Sequence, residues 1–381
     1  MREKVNGWID ENRDKIVEVA TWLYEHPEIA LEEVESSKYL ADWLEREGFQ
    51  VERAFAGVPT AFKAVKKQGE GPRIAYLAEY DALPGCGHAC GHHMIAAMSV
   101  GAAAALSQIL DEVGGEIAVF GTPAEETGDG KSYLTDQGVF KGYDAAMIIH
   151  PGGATELYPK MNAVSGMDFV FTGRASHAGA LPYEGINALD AVVLLYNNIN
   201  ALRQQLRDGT RIHGIILEAG EAANVIPDKG KVRLEFRTDD QDYFDEITQK
   251  VVNCAKAAAL ATGCELEYDW FEPISKVLRH NHTLGAVMEK YMKEYGVYGT
   301  LDVGGGSTDV GNVSQEIPTI HPMLKVTEEP LGPHTQEFKE ATMTPYALEH
   351  MIIGVRILAL TGMEILKDSE LRHRIKAEFE T

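Results

Sequence analysis

The chain has 381 residues, 45% of them hydrophobic, enough to bury a substantial core and more than one compact domain usually contains. Its 58 acidic against 35 basic residues leave a net charge of −23. That charge repels a phosphate backbone or an anionic bilayer, and no basic stripe offsets it, so nucleic acid and membrane are excluded as partners.

From the amino terminus, Trp8, Ile9, Ile16, Val19, Ala20 and Leu23 make a helix-like stripe with charges between them. This predicts an amphipathic helix over 8–25, and neither a signal peptide nor an anchor. A second helix is expected over 36–47, ending at Gly48. Short apolar runs then alternate with helical ones. "RIAYLAEY" (73–80), "EIAVFGTP" (116–123) and "AAMIIH" (145–150) read as strands, with helices at 94–110 and 132–140 between them. The rhythm predicts an α/β fold with a mostly parallel sheet covered on both faces. Met94 to Leu110 is mostly alanine, broken by Ser99, Gly101, Ser107 and Gln108, and reads as a buried helix rather than a span. Cys86, Cys90, Cys254 and Cys264, in a chain with no export signal, predict reduced thiols and a cytoplasmic location.

From about residue 166 the rhythm changes to strand 164–173, helix 187–206, strands 211–219 and 231–238, helix 240–261 and strand 264–272. This β-α-β-β-α-β order predicts an inserted ferredoxin-like α+β domain over 166–278. Helix 280–295, a glycine-rich loop at 304–306, an apolar strand at 318–326 and a helix at 341–366 return the chain to the first domain, 1–165 with 279–381. The polar end "KDSELRHRIKAEFET" reads as a solvated helix or frayed tail.

The chemistry gathers at strand ends. "GHACGHH" (87–93) follows the strand 73–80, Glu125-Glu126 follows 116–123, and His150 closes 145–150. In an open parallel sheet ligands bind outside the carboxyl ends of the strands, so these side chains are expected to converge. Thiolate, neutral imidazole and carboxylate together suit zinc or a similar transition metal. The candidates exceed one closed tetrahedral site, which reads as two metals sharing a ligand. Of the paired glutamates, one can hold metal while its neighbour takes a proton from the attacking water and returns it to the leaving nitrogen.

"HPE" (26–28), "EYDALPG" (79–85), "HACGHH" (88–93), "TPAEETGDG" (122–130), "ASHAGALP" (175–182), "NVIPD" (224–228) and "GPHTQEF" (332–338) together resemble the zinc-dependent aminoacylase and carboxypeptidase family of metallopeptidases. More narrowly they resemble its amidohydrolase branch, which includes hippurate hydrolase, plant indole-acetyl-amino-acid hydrolases and p-aminobenzoyl-glutamate hydrolase. "EYDALPG", "GHACGH" and "STDVGNVS" are most similar to the aminoacylase-like dipeptidase subgroup. The resemblance implies a catalytic metal-binding domain interrupted by a lid that also makes a homodimer interface. It implies two divalent ions, zinc first with manganese, cobalt and nickel as alternatives. Their ligands would be Cys90 as the bridge with His92, Glu126, His150 and His334, and Glu125 would be the general base. His177 matches a lid histidine that reaches a partner subunit's active site and stabilises the oxyanion. Asn224 and Arg237 match lid positions that grip the substrate's carboxylate, a task suited to the arginine fork. The expected reaction is hydrolysis of an amide bond in N-acyl amino acids, aromatic acyl-glutamates or small dipeptides.

The chain departs from this pattern twice. Glu79 stands where the wider family has a ligand histidine, a position that is not a ligand in the branch, and His93 replaces the branch's usual Asp or Asn. Asp81 is left as the group that orients His92 from behind. His321, in an apolar run, reads as a structural histidine with a hydrogen bond. Two rivals stand beside the hydrolase. One is a metal-holding scaffold that has lost activity. The other is a nucleotide- or phosphate-binding protein using "DVGGGSTD" (302–309), although a lone glycine run is weak evidence and reads better as a loop at the active site, with Ser307, Asp309 and Asn312 in its wall.

Overall fold

The computed structural model describes residues 1–299 and 306–381. In chain order its strands are β1 (Gln50–Arg53), β2 (Phe62–Gln68), β3 (Arg73–Ala78), β4 (Gly115–Gly121), β5 (Ala145–Met147) and β6 (His150–Gly152). There follow β7 (Ala163–Thr172), β8 (Arg211–Glu218), β9 (Lys229–Thr238), β10 (Glu265–Trp270), β11 (Thr319–Ile320) and β12 (Met323–Lys325). The chain divides into two compact units, Met1–Lys160 with Leu278–Thr381, and Met161–Val277.

The first unit is built on a six-stranded sheet in the order β1-β2-β4-β3-β5-β11. β4, β3, β5 and β11 run parallel, whereas β1 and β2 are antiparallel additions at one side. Lys63, Lys66 and Lys67 hide β2 from a hydropathy reading, yet Phe62 and Ala64 alternate inward from it. Against the sheet lies the helix His92–Ser107, all of whose residues are buried. A helix apolar on every face is a core helix, and here small residues let neighbours approach. A Cβ on Gly101 would stand 3.3 Å from both Ile16 and Val355. No helix among the described residues is long and apolar enough to cross a membrane.

Three expected elements are divided in the structure. The amino-terminal stripe forms two helices, Arg2–Glu11 and Arg13–Glu25, because the Asn12 amide Nδ2 and backbone N–H both donate to the Trp8 carbonyl and end the first. The runs 145–150 and 318–326 each split, β5 and β11 pairing in the large sheet while β6 and β12 form a separate parallel pair. Pro322, with no N–H to donate, marks this step, although its carbonyl still accepts from His150 N–H at 2.9 Å. The step carries His150 off the main sheet. The polar carboxyl end is a helix, Ser369–Phe379, pinned by buried Leu371 and Ile375.

In the second unit β7, β8, β9 and β10 form an antiparallel sheet in the order β10-β7-β9-β8. Helices Ala188–Leu202 and Gln241–Thr262 complete a β-α-β-β-α-β chain order. Their N-caps are Asn187 and Asp240, whose side chains accept the first free amides of each helix. Phe169, Phe171, Phe236 and Phe244 fill this unit's own core. β8 is an edge strand and exposes Ile215, Ile216 and Leu217.

Candidate metal centre and catalytic residues

The loops after β3 and β4 and the start of β6 deliver donor atoms to one place in the first unit. Cys90 lies in the turn before the core helix and His92 opens that helix. Gly91 joins them at φ +90, and a Cβ there would come within 2.5 Å of the Pro151 ring. Only glycine meets both conditions, so the turn brings the donor-bearing loop hard against the residue that follows His150.

Two donor trios share one sulfur. Cys90, His92 and His150 form the first and Cys90, Glu126 and His334 the second, with the donor atoms of each within 4.8 Å of one another. Cys90 Sγ is 3.5 Å from His150 Nε2, and Glu126 Oε2 is 3.5 Å from His334 Nε2. His334 reaches in through a left-handed backbone (φ 66) anchored by its N–H on the Ala89 carbonyl at 2.8 Å.

Asp81 ties two arms of the centre together. Its Oδ1 lies 3.0 Å from His92 Nδ1, and its Oδ2 accepts the Glu126 N–H at 2.9 Å. With Nδ1 engaged, Nε2 of His92 is the nitrogen that faces Glu125, Glu126 and Glu79, at 3.7 to 3.8 Å. Burial opposes a charge on this imidazole, yet Cys90 and Asp81 together hold its pKa well above the ordinary value. Nε2 thus sits where positive charge is favoured, whether a proton or a metal ion supplies it. His150 differs: burial drives its pKa down to about 4 against the pull of Glu79, and Nδ1 lies 2.7 Å from the Pro151 carbonyl. It is therefore a neutral imidazole with Nε2 turned to the sulfur, the ligating form.

These residues fit transition metal on an observation independent of motif. His92 Nε2 and Glu126 Oε1 are buried with no hydrogen-bond partner among the described residues. Such orphaned polar atoms are costly unless something else binds them. Thiol, imidazole and carboxylate donors in one cluster match zinc-like ions.

Glu125 belongs to neither sulfur-containing trio. Its Oε2 is 3.7 Å from His92 Nε2, and burial, reinforced by Glu79, pushes its pKa well above the carboxylate range. A carboxyl group with raised proton affinity, beside but apart from the shared sulfur, has the character of a proton acceptor. Ala124 and Gly128, both left-handed, frame the short turn that carries the pair.

Of three buried charges at or beside this turn, Glu33 and Lys131 escape sequence reading, and Glu79 is noticed there without its burial. Glu33, one glutamate in a glutamate-rich stretch, accepts the Ala124 N–H at 2.8 Å. Lys131 is fully buried between Glu79 and Asp309. Glu79, set aside as a ligand in the sequence, lies 3.7 Å from His92 Nε2. Burial pushes Glu33 up to about 7 from 4.5. Since its folded pKa is raised, Glu33 contributes stability below pH 4.5 that is lost as pH rises through 7. Glu33→Gln keeps an acceptor for Ala124 and removes the ionisation cost. We expect it to stabilise the protein by roughly 1–3 kcal/mol at pH 8 and by almost nothing at pH 4.5. Thermal melts at the two pH values check this, and an equal shift at both refutes it.

The remaining site candidates are divided between the two units. His177 is exposed in the second unit, its Nδ1 accepting the Gly179 and Ala180 N–H groups at 3.2 Å. Asn224 is exposed, and Arg237 is engaged with Glu235 in its own strand, Nε to Oε1 at 2.8 Å. Residues 302–305 of the glycine-rich run lie outside the described residues, while Asp309 and Asn312 are buried and Ser307 half-buried. His321 makes no hydrogen bond through either ring nitrogen among the described residues, contrary to the expectation for it. Its ring instead packs 5.7 Å from that of His150.

The profile of peptidase family M20/M25/M40 matches residues 75–362. Xaa-Arg dipeptidase of Mus musculus is 35% identical over 97% of this chain and 90% of its own length. One of the subunits of p-aminobenzoyl-glutamate hydrolase from Escherichia coli K12 is 31% identical over 77% of this chain and 65% of its own. Among solved structures, a putative aminohydrolase from methicillin-resistant Staphylococcus aureus superposes with a TM-score of 0.82 at 19% identity, covering 96% of this chain and all of that one. A dinuclear metal-binding peptidase from Bacillus subtilis superposes with a TM-score of 0.71 at 24% identity, covering 93% and 99% of the two chains.

Proposed function

The chain belongs to peptidase family M20/M25/M40, a family of metal-dependent amide hydrolases that use a dinuclear centre, and from that premise we propose which residues run the reaction and on what. Cys90 would be shared by the two ions, His92 and His150 would complete one set of donors and Glu126 and His334 the other, and Asp81 fixes the His92 ring. The observation that carries this assignment is the pair of donor trios meeting at one sulfur, with Glu125 outside both. When bound, two divalent ions there supply Lewis-acid stabilisation of the developing negative charge and a more acidic water. Zinc is the first choice for such mixed donors, with manganese, cobalt or nickel as alternatives.

Glu125 accepts the proton of the attacking water and delivers it to the leaving nitrogen, so one carboxyl serves first as base and then as acid. The second unit acts as a lid. His177 of a partner subunit donates to the oxyanion of the tetrahedral intermediate, and Asn224 and Arg237 hold the substrate's free carboxylate. Arg237 must exchange Glu235 for the substrate to do so, a like-for-like swap of one carboxylate for another. The exposed apolar edge at Ile215, Ile216 and Leu217 supports a homodimer formed through this unit, since such edges invite strand pairing. Four free cysteines support a reducing, cytoplasmic location.

Small dipeptides are the preferred substrate class, ahead of N-acyl amino acids and aromatic acyl-glutamates, because the dipeptidase relative matches nearly end to end. Metal-loaded protein, assayed for amine release on dipeptides ending in arginine, N-acyl amino acids and p-aminobenzoyl-glutamate, is expected to turn over the dipeptides fastest. Metal retention with no turnover on any of these favours the scaffold reading instead.

A further inference from the structure

Beside the two sulfur-sharing trios and the group of His92, Glu125 and Glu126 lies another group of donors, this one made of oxygen alone. Carboxylate oxygens of Glu79, Glu125 and Asp309 lie within 4.8 Å of one another. Glu79 and Asp309 are fully buried. Oxygen-only donors suit a hard divalent cation such as Mg2+ or Mn2+. The position already contains a cation. The Lys131 ammonium, itself fully buried, lies 2.9 Å from Glu79 Oε1 and bonds Asp309 Oδ1, while the Lys131 backbone N–H donates to Asp309 Oδ2 at 2.8 Å. The backbone there has no freedom to withdraw. A Cβ on the preceding Gly130 would meet the Pro123 carbonyl oxygen at 1.7 Å, so the helix start is pressed against the loop that leads to Glu125.

Burying an ammonium costs several kcal/mol unless carboxylates surround it, and burying three carboxylates costs as much unless a cation joins them. Each cost is offset only by the other. We propose that Lys131 is a built-in cation that fills a third, all-oxygen position of the centre, so that metal is confined to the two sulfur-sharing positions and Glu125 stays free of metal. This role rests on the dinuclear reading given above. Lys131 acts through Glu79 and Glu125 and so is a positioning residue. Its presence also explains why a glutamate at position 79, aimed at the same ring nitrogen as the ligands, is not needed as one: its charge is spent on Lys131.

The test counts ions. Lys131→Ala, Lys131→Arg, the double variant Lys131→Ala with Asp309→Asn, and the parent are saturated with Mn2+, desalted and measured by plasma mass spectrometry, with Mn2+ paramagnetic resonance on the same samples. Lys131→Ala is expected to hold one more Mn2+ per chain than the parent. Lys131→Arg, which keeps the charge, matches the parent, and the double variant loses the extra ion. Lys131→Ala is also expected to gain more in melting temperature from Mn2+ than the parent does, and to be soluble when expressed with added Mn2+ even where it is insoluble without it. An unchanged ion count in Lys131→Ala, or failure of Mn2+ to recover that variant, overturns the proposal. The difference between variant and parent reads the role of Lys131 whatever the parent's own count, whereas a parent that binds fewer than two ions overturns the dinuclear reading by itself.

Discussion

Glu125→Gln is expected to reduce turnover by at least about a hundredfold while leaving the metal content of the protein at the parent level. The reasoning is geometric. Glu125 takes no part in either trio that meets at Cys90, so its loss removes no donor from them. Glutamine preserves the side-chain volume at a site that is almost wholly buried, and its amide cannot accept and return a proton. The neighbouring position is predicted to behave oppositely, because Glu126 shares a trio with Cys90 and His334. Steady-state rates on the best substrate, paired with plasma mass spectrometry of the same sample, decide the matter. A metal-loaded Glu125→Gln protein of full activity would exclude this carboxyl as the base.

Cys90→Ala is expected to have the largest effect on metal, because its sulfur is the only donor common to both trios. Removing any other ligand weakens one position; removing this one weakens both. Parent protein gains stability from metal by mass action, about 2.7 kcal/mol at a hundredfold excess over Kd and about 4.1 kcal/mol at a thousandfold excess. In Cys90→Ala that dependence should largely vanish. The metal-free proteins should melt close together, since the variant deletes a single buried side-chain atom and introduces no new polar group. Melting curves of parent and variant across a metal titration read both quantities. Equal metal-dependent shifts in the two proteins would rule out a bridging role for the sulfur.

How far this centre is legible in the sequence depends on the kind of signal. The parallel core strands are plain because β3 and β4 are continuous apolar runs bounded by turn residues, which burial on both faces demands. β1 and β2 are not, because their lysines and glutamates face outward at the side of the sheet, where polarity says nothing about pairing. Breaks made by single residues, Asn12 in the first helix and Pro322 between β11 and β12, depend on side-chain and backbone bonds that periodicity does not register. Cys90, His92, the Glu125-Glu126 pair and His150 stand out because they fall at the carboxyl ends of the core strands, whereas His334 is picked out only by the resemblance of "GPHTQEF" to the family. Glu33 and Lys131 do not stand out, because glutamate and lysine are common on surfaces and nothing in one sequence marks the few that are buried; Glu79 is marked by its place in "EYDALPG" but not by its burial. Charge compensation is a property of the folded neighbourhood, and only coordinates disclose it.

The anchoring of His334 on the Ala89 carbonyl has a consequence for biosynthesis. In the ligand set proposed above, His334 lies in a segment that the ribosome makes after Cys90, His92, Glu126 and His150. On that assignment, a nascent chain that stops short of residue 334 would offer the second position two of its three donors, Cys90 and Glu126.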